Sequence, residues 1–329
     1  MTNNAFLRRR TVLGAIAVCP ILARSSAVWG QTLSDRPLRF ILPMAAGSVG
    51  DALARGMTSH LTQALKRPVV VENLPGAGGM TGTAQLVRAP ADGSALALVS
   101  TSHVINPFVF KAMPYDPIKD VTPITVIGKS MMVLVVNPAV PAQNLAEFVR
   151  LLKASPGKLN YGSSGNGGVT HLPAEMFHRE AGVSARHIPY KGLSAQVTDI
   201  IAGVVEYGFV PVGVAVPQLK AGKRRALAVT GAVRSPMLSQ VPTIKEGGLA
   251  SYVYEPWLAI IGPAGLTATQ TQSLYGDVRT TLEQEEMRTM MDAQDMTPVT
   301  MTPKETATYF RSEMAAYGAL ANYAGLRAE

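Results

Sequence analysis

The chain has 329 residues, 47% of them hydrophobic and 16% charged, with a formal net charge of +8. That length exceeds a single core of ordinary size and suits one large or two medium domains. The composition excludes a multi-span membrane protein on one side and a disordered chain on the other.

The first thirty residues are of a different kind. Arg8-Arg9-Arg10, the apolar run TVLGAIAVCPILA and the small-residue stretch SSAVWGQ follow in the order of a secretory signal. Either the Sec or the twin-arginine route fits, with cleavage near Ala27 or Gly30. The expected location is the periplasm. The apolar run is too short to span a bilayer. The segment removes Arg8, Arg9, Arg10 and Arg24 and no acid, which leaves 26 basic against 22 acidic residues, net +4. A nucleic-acid partner then loses its support, because no Lys/Arg stripe interleaved with aromatics is present. The basic knot Lys220, Lys223, Arg224 and Arg225 reads as a solvated helix end. Cys19 is the one cysteine and lies inside this segment, so the exported chain has no disulfide, thiolate nucleophile or Cys-ligated metal.

From residue 38 on, apolar runs alternate with helical patterns. LRFILP (38–43), VVVEN (69–73) and ALALVS (95–100) are continuous, as parallel strands covered on both faces should be. Leu53, Met57, Leu61 and Leu65 recur every four residues and make one apolar helix stripe. MMVLVVNP (131–138) is a further strand. Asn144 with Glu147 caps the helix LAEFVRLLKAS. LNYGSSG, RHIPY, VEYGFVPV and RALAVTG are strands with helices between them. Beyond about 265 the chain is mostly helical, and Thr302-Pro303 opens the last helix. The alternation predicts an α/β fold with largely parallel sheets.

Two Gly/Ser loops stand between a strand and a helix, MAAGSVGD at 44–51 and YGSSGNGGVTH at 161–171. Helix starts at the carboxyl ends of parallel strands offer unpaired N–H groups and the positive end of the helix dipole. Two such loops, one in each presumed domain, favour a bound anion over mere turn-building. A third segment, NLPGAGGMTG (73–82), misses the dinucleotide fingerprint, since Thr81 holds the position of the last glycine. No cofactor is expected. GSSGN is not G-x-S-x-G, because Asn166 replaces the second glycine. His171, Glu175 and His178 share one helix face, which reads as an ordinary solvated or interdomain face rather than a metal cluster. Many small donors and few acids or bases favour binding over catalysis.

VVVENLPGAGG, INP, PYDPIKD, PGKLNYGSSGNG, HIPYKG, LKAGKRRALAVT, RSP and VPTIKEGGL occur in this order, from about residue 36 to the C-terminus. This resembles the Bug family, the periplasmic substrate-binding proteins of tripartite tricarboxylate transporters. The resemblance implies a two-lobed, type II-like periplasmic binding protein, each lobe a mostly parallel sheet flanked by helices, with a hinge of crossing strands. It implies lobe 1 at 33–131 plus 254–329 and lobe 2 at 132–253. It also implies a small carboxylate ligand held between the lobes, membrane permease subunits as partners, and a monomer. A receptor that signals to a membrane sensor instead of a transporter is the alternative. Carried over, the ligand-binding residues are Ala46, Gly47, Ser48 and Asp51 in the first loop, and Gly78 and Gly79 in the second. Ser102 and His103 follow, and lobe 2 supplies Ser163, Ser164, Thr170, His171 and Tyr190.

The chain departs from the family pattern at two places that bear on the ligand. Its first loop has Ala45-Ala46-Gly47-Ser48 in place of Pro-Pro-Gly-Gly. Val210 and Pro211 stand where many members carry Asp-Asn. With Val210 on the pocket wall, amino acids and highly hydroxylated acids are disfavoured. A monocarboxylate, or an aliphatic or aromatic dicarboxylate, fits better.

Overall fold

The computed structural model describes residues 33–324; the export segment predicted at 1–30, with Cys19, lies outside the described residues. The chain runs β1 (Leu38–Leu42), α1 (Val49–Leu65), β2 (Val69–Asn73), α2 (Met80–Val87), β3 (Ala95–Ser100), α3 (Ser102–Val109) and β4 (Val121–Ser130). It then crosses to a second sheet through β5 (Met132–Val136), α4 (Leu145–Ala154), β6 (Asn160–Ser163), α5 (Leu172–Ala181) and β7 (Arg186–Pro189). α6 (Leu193–Ala202), β8 (Tyr207–Pro211), α7 (Val212–Lys220) and β9 (Arg225–Val229) complete that half. The return brings β10 (Trp257–Pro263), α8 (Ala268–Leu282), α9 (Glu285–Ala293), β11 (Met296–Pro298) and α10 (Pro303–Ala324).

Among the described residues the strands form two sheets, ordered β11-β4-β10-β3-β1-β2 and β7-β6-β8-β5-β9. Both are mixed rather than the largely parallel sheets expected from the sequence. In the first, β1 pairs parallel with β2 and β3, and β10 is inserted antiparallel between β3 and β4. In the second, β6 pairs parallel with β7 and β8, and β5 is inserted antiparallel between β8 and β9. The inserted strand is in both cases the first after a crossing. One topology is thus used twice, which accounts for the paired Gly/Ser loops: both follow the first parallel strand of their sheet.

The predicted strands appear within two residues of their expected ends. β4 and β10, which form the crossings together with β5, and the short β11 are not among them. The helix stripe behaves as expected, with Leu53, Met57 and Leu61 essentially inaccessible. Burying each such side chain contributes about 1.5–3 kcal/mol before entropy is counted. Ser48 caps α1 by accepting from the Asp51 N–H at 3.2 Å. Asn144 caps α4 by accepting from the Glu147 N–H at 2.9 Å, while the Glu147 carboxylate turns back to the Gln143 N–H.

In the basic knot Lys220 and Lys223 are exposed, as a solvated helix end requires, but Arg224 is not. Arg224 is buried, at 3% exposure, and none of its three guanidinium nitrogens has a hydrogen-bond partner among the described residues. Burial lowers its pKa to about 10. The turn from α7 into β9 folds this side chain inward.

Candidate functional site

The carboxyl ends of the parallel strands in both sheets face one cavity of about 610 Å³. The α1 N-terminus enters it through Ser48, Val49 and Gly50, and the Gly76–Gly79 loop enters ahead of α2. α3 contributes Ser102. From the second sheet come the loop Ser164–Thr170, which leads into α5, and Gly192 and Leu193 at the start of α6. The N–H groups of Val49, Gly50, Val169, Thr170, Gly192 and Leu193 have no acceptor among the described residues. Helix starts from both sheets therefore aim donors and positive dipole ends into one space. Among the described residues no Asp or Glu lines it.

The acidic and aromatic side chains of the motifs brace these loops from behind. Asp51 is buried. Its Oδ2 accepts the Gly47 N–H at 2.9 Å, and its Oδ1 accepts from Arg55 Nε and Asn73 Nδ2 at 3.0 Å each. Burial pushes its carboxyl pKa up, but these hydrogen bonds outweigh burial and hold it below the ordinary value. The Gly76–Gly79 loop is wound left-handed, with φ of 134° at Gly76, 45° at Ala77, 62° at Gly78 and 95° at Gly79. A Cβ at Gly78 would lie 2.6 Å from Asn106 Oδ1, whose Nδ2 donates to the Gly78 carbonyl at 3.0 Å. The glycines here serve loop curvature and close packing, not a dinucleotide.

His103 lies behind that loop. Its ring stacks on Tyr115 with Phe310 tilted against it, and its Nε2 donates to the Pro117 carbonyl at 2.8 Å. Burial lowers its pKa to about 4, so the ring is neutral near pH 7.

In the second sheet Ser164 N–H donates to Thr170 Oγ1 at 2.8 Å, which fastens the loop to itself. Gln196 sits beneath it, with Nε2 donating to the carbonyls of Gly162 and Phe209 at 2.9 and 3.0 Å. Ser102 Oγ donates to the Gly167 carbonyl at 3.2 Å, a direct bond between the two halves across the cavity.

Behind this loop is a buried polar cluster, and of the solvated or interdomain face expected for His171, Glu175 and His178 it excludes the solvated one. Glu175 accepts from the Tyr161 hydroxyl and stands 3.4 Å from His178 Nδ1. His178 Nε2 meets the Tyr207 hydroxyl at 2.5 Å. The rings of His171 and His187 stack at 4.0 Å, and His171 Nδ1 accepts the Gly167 N–H at 3.2 Å. Ser163 Oγ pairs with His187 Nε2 at 2.6 Å, but Ser163 is wholly inaccessible. The pair fixes the base of the loop and offers no nucleophile to a substrate. Burial lowers the His187 pKa to about 4, and nearby Glu175 only partly opposes this.

Of the residues singled out in the sequence, the cavity is lined by Ser48, Gly78, Gly79, Ser102, Ser164, Thr170 and Tyr190. Asp51, His103, Ser163 and His171 are set back as braces, while Ala46 and Gly47 lie on the exposed outer side of their loop. Val210 is not on the wall. It is fully buried in an apolar cluster with Val133, Val135 and Val212, and the next residue, Pro211, faces the cavity instead. Side chains alternate faces along a strand, so one step along β8 exchanges wall for core. Sequence reasoning missed Val49, Gly50, Gly192 and Leu193, whose contribution is backbone N–H. It also missed Met132, Leu258 and Met296 on the cavity floor.

Two α/β lobes with a donor-rich cavity between them define a solute-binding protein of the periplasmic type. The family model described as "Tripartite tricarboxylate transporter family receptor" matches residues 53–326, and the chain belongs to that family. Protein BugT of Bordetella pertussis is 31% identical over 314 residues, covering 95% of each chain. A solved structure of a periplasmic transporter is 33% identical with a TM-score of 0.83, covering 89% of this chain and 98% of the other. A protein from R. palustris, solved with adipate, is 29% identical with a TM-score of 0.85, covering 89% of this chain and 99% of the other. The family is one of solute receptors.

Proposed function

We propose that this protein is an extracytoplasmic receptor that closes on a small carboxylate and delivers it to membrane permease subunits of a tripartite tricarboxylate-type transporter. The observation that carries this is the convergence of helix starts from both lobes, with open N–H groups, on a cavity that no acid lines. A carboxylate placed there bridges the lobes, and its charge needs no cationic side chain. The adipate in the R. palustris relative supports the same ligand class. The lobes move as 33–131 with 254–329 against 132–253. Their pivot is where Ser130 N–H bonds the Pro256 carbonyl and Tyr254 N–H bonds the Thr230 carbonyl. The receptor works as a monomer in the periplasm after removal of residues 1–30.

A thermal-shift screen of carboxylates, each beside its neutral amide, tests the reading. A ligand at 100 times its Kd stabilises the folded state by about 2.7 kcal/mol. Acids are expected to raise the melting temperature and amides to leave it unchanged. Equal shifts from acid and amide would remove the anion site from the account.

A further inference from the structure

The cavity has two unlike sides. The loops that start the helices supply donors, whereas the floor where the strands cross is apolar. Strand register makes that floor continuous. Met132 on β5 lies opposite Pro211 on β8, and Met296 on β11 lies opposite Ser130 at the end of β4. Leu258 on β10 lies between Ser100 on β3 and Gly128 on β4. Met132, Leu258 and Met296 come from three different strands, and all three line the cavity.

Two polar groups at this floor are already engaged. Trp257 Nε1 donates to Glu313 Oε2 at 2.8 Å, and Ser130 Oγ donates to the Pro256 carbonyl at 3.4 Å. The ionisable lining residues are Tyr190, whose hydroxyl donates to Asp199 at 2.8 Å, and Lys191 in the turn before α6. An ammonium would find no carboxylate here. A hydroxyl or second carboxylate laid against Met132, Pro211, Leu258 and Met296 would lose its water and gain no partner from those side chains. A methylene group placed there gains from burial.

Resting on the carboxylate reading above, we infer that the preferred ligand is an amphiphilic monocarboxylate. Its carboxylate sits among the helix starts, and its aliphatic or aromatic tail lies on the floor formed by Met132, Pro211, Leu258 and Met296. Those four residues, rather than Val210, set the preference for an apolar tail.

The test is calorimetric titration of the chain from Gln31 on, which forms one compact unit, with butanoate, hexanoate, octanoate, 6-aminohexanoate and malate. Each added methylene is expected to tighten binding about three- to fourfold. The amino acid should bind about tenfold more weakly than hexanoate, or worse. Met296→Gln should reduce the tightening per methylene and so shrink the ratio of octanoate to butanoate affinity, a change in ratio that a loss of folding alone would not produce. If that variant does not fold, the wild-type series decides. Malate binding more tightly than hexanoate, or affinity independent of chain length, overturns the inference and leaves the carboxylate site standing. Absence of binding by every carboxylate overturns both.

Discussion

Asp51 is the brace of the first loop, and Asp51→Asn tests that role without changing shape. The carboxylate accepts from Gly47 N–H through one oxygen and from Arg55 and Asn73 through the other. An amide in its place must turn its NH2 group toward one of these donors. If it keeps Arg55 and Asn73, the Gly47 N–H loses a charge-assisted bond, which costs about 1.5–3 kcal/mol. Loss of negative charge in the first turn of α1 adds about 0.3–1 kcal/mol. The Arg55 contact adds little, because that side chain is 55% exposed. The total is about 3 kcal/mol, or a fall of about 6 °C in melting temperature. Since Asp51 has a depressed pKa in the folded state, its contribution is present above the unfolded value and fades as pH falls below it. The gap between wild type and variant should therefore be full at pH 7 and close toward pH 3. Differential scanning calorimetry at both pH values reads it. A variant melting within about 1 °C of wild type at pH 7 would refute the role of Asp51 as a brace.

Three further outcomes are expected. His103 is neutral when folded, with its pKa lowered to about 4 by burial, whereas an unfolded chain protonates near 6.5. Its contribution is complete above pH 6.5 and lost at about 1.4 kcal/mol per pH unit toward pH 4, so denaturant midpoints should fall over that window and do so less in His103→Gln. Gly78→Ala forces a side chain onto φ 62° and against Asn106. It should cost about 1–2 kcal/mol and weaken carboxylate binding, and unchanged calorimetric affinity would argue against the loop as a ligand contact. Arg224→Met replaces a buried, unpartnered guanidinium by an apolar chain of similar length. Urea unfolding should show it to be at least as stable as wild type, by about 1 kcal/mol or more.

The sequence and the structure agree most closely where burial dictates residue type. β3 and β5 are runs of Ala, Leu and Val because both of their faces are buried, whereas β2, read as a buried strand, lies at the sheet edge with Val70 exposed. β4 was hidden by Pro123 and Gly128, which read as breakers inside a strand of ten residues. β10 is apolar enough to be seen as a strand, but its place between β3 and β4 depends on pairing across more than 120 residues, which no local pattern carries. Site residues divide along the same line. Ser48, Ser102, Ser164 and Thr170 could be named because small hydroxyl residues at helix starts have a signature. Val49, Gly50 and Leu193 could not, because a backbone N–H is common to nearly every residue type. The conspicuous polar residues Asp51, His103, Ser163 and His171 misled for the converse reason: they hold the loops from the protein side. Val210 failed by a single step in strand phase.

The central claim is that backbone N–H groups of both lobes hold a carboxylate. The most direct measurement is the 15N–1H spectrum of the labelled chain, recorded with hexanoate and with hexanamide. The account predicts that the Val49, Gly50, Val169, Thr170 and Gly192 amide resonances move together on adding the acid and stay in place with the amide. Movement confined to one lobe, or equal movement with the neutral compound, would contradict it.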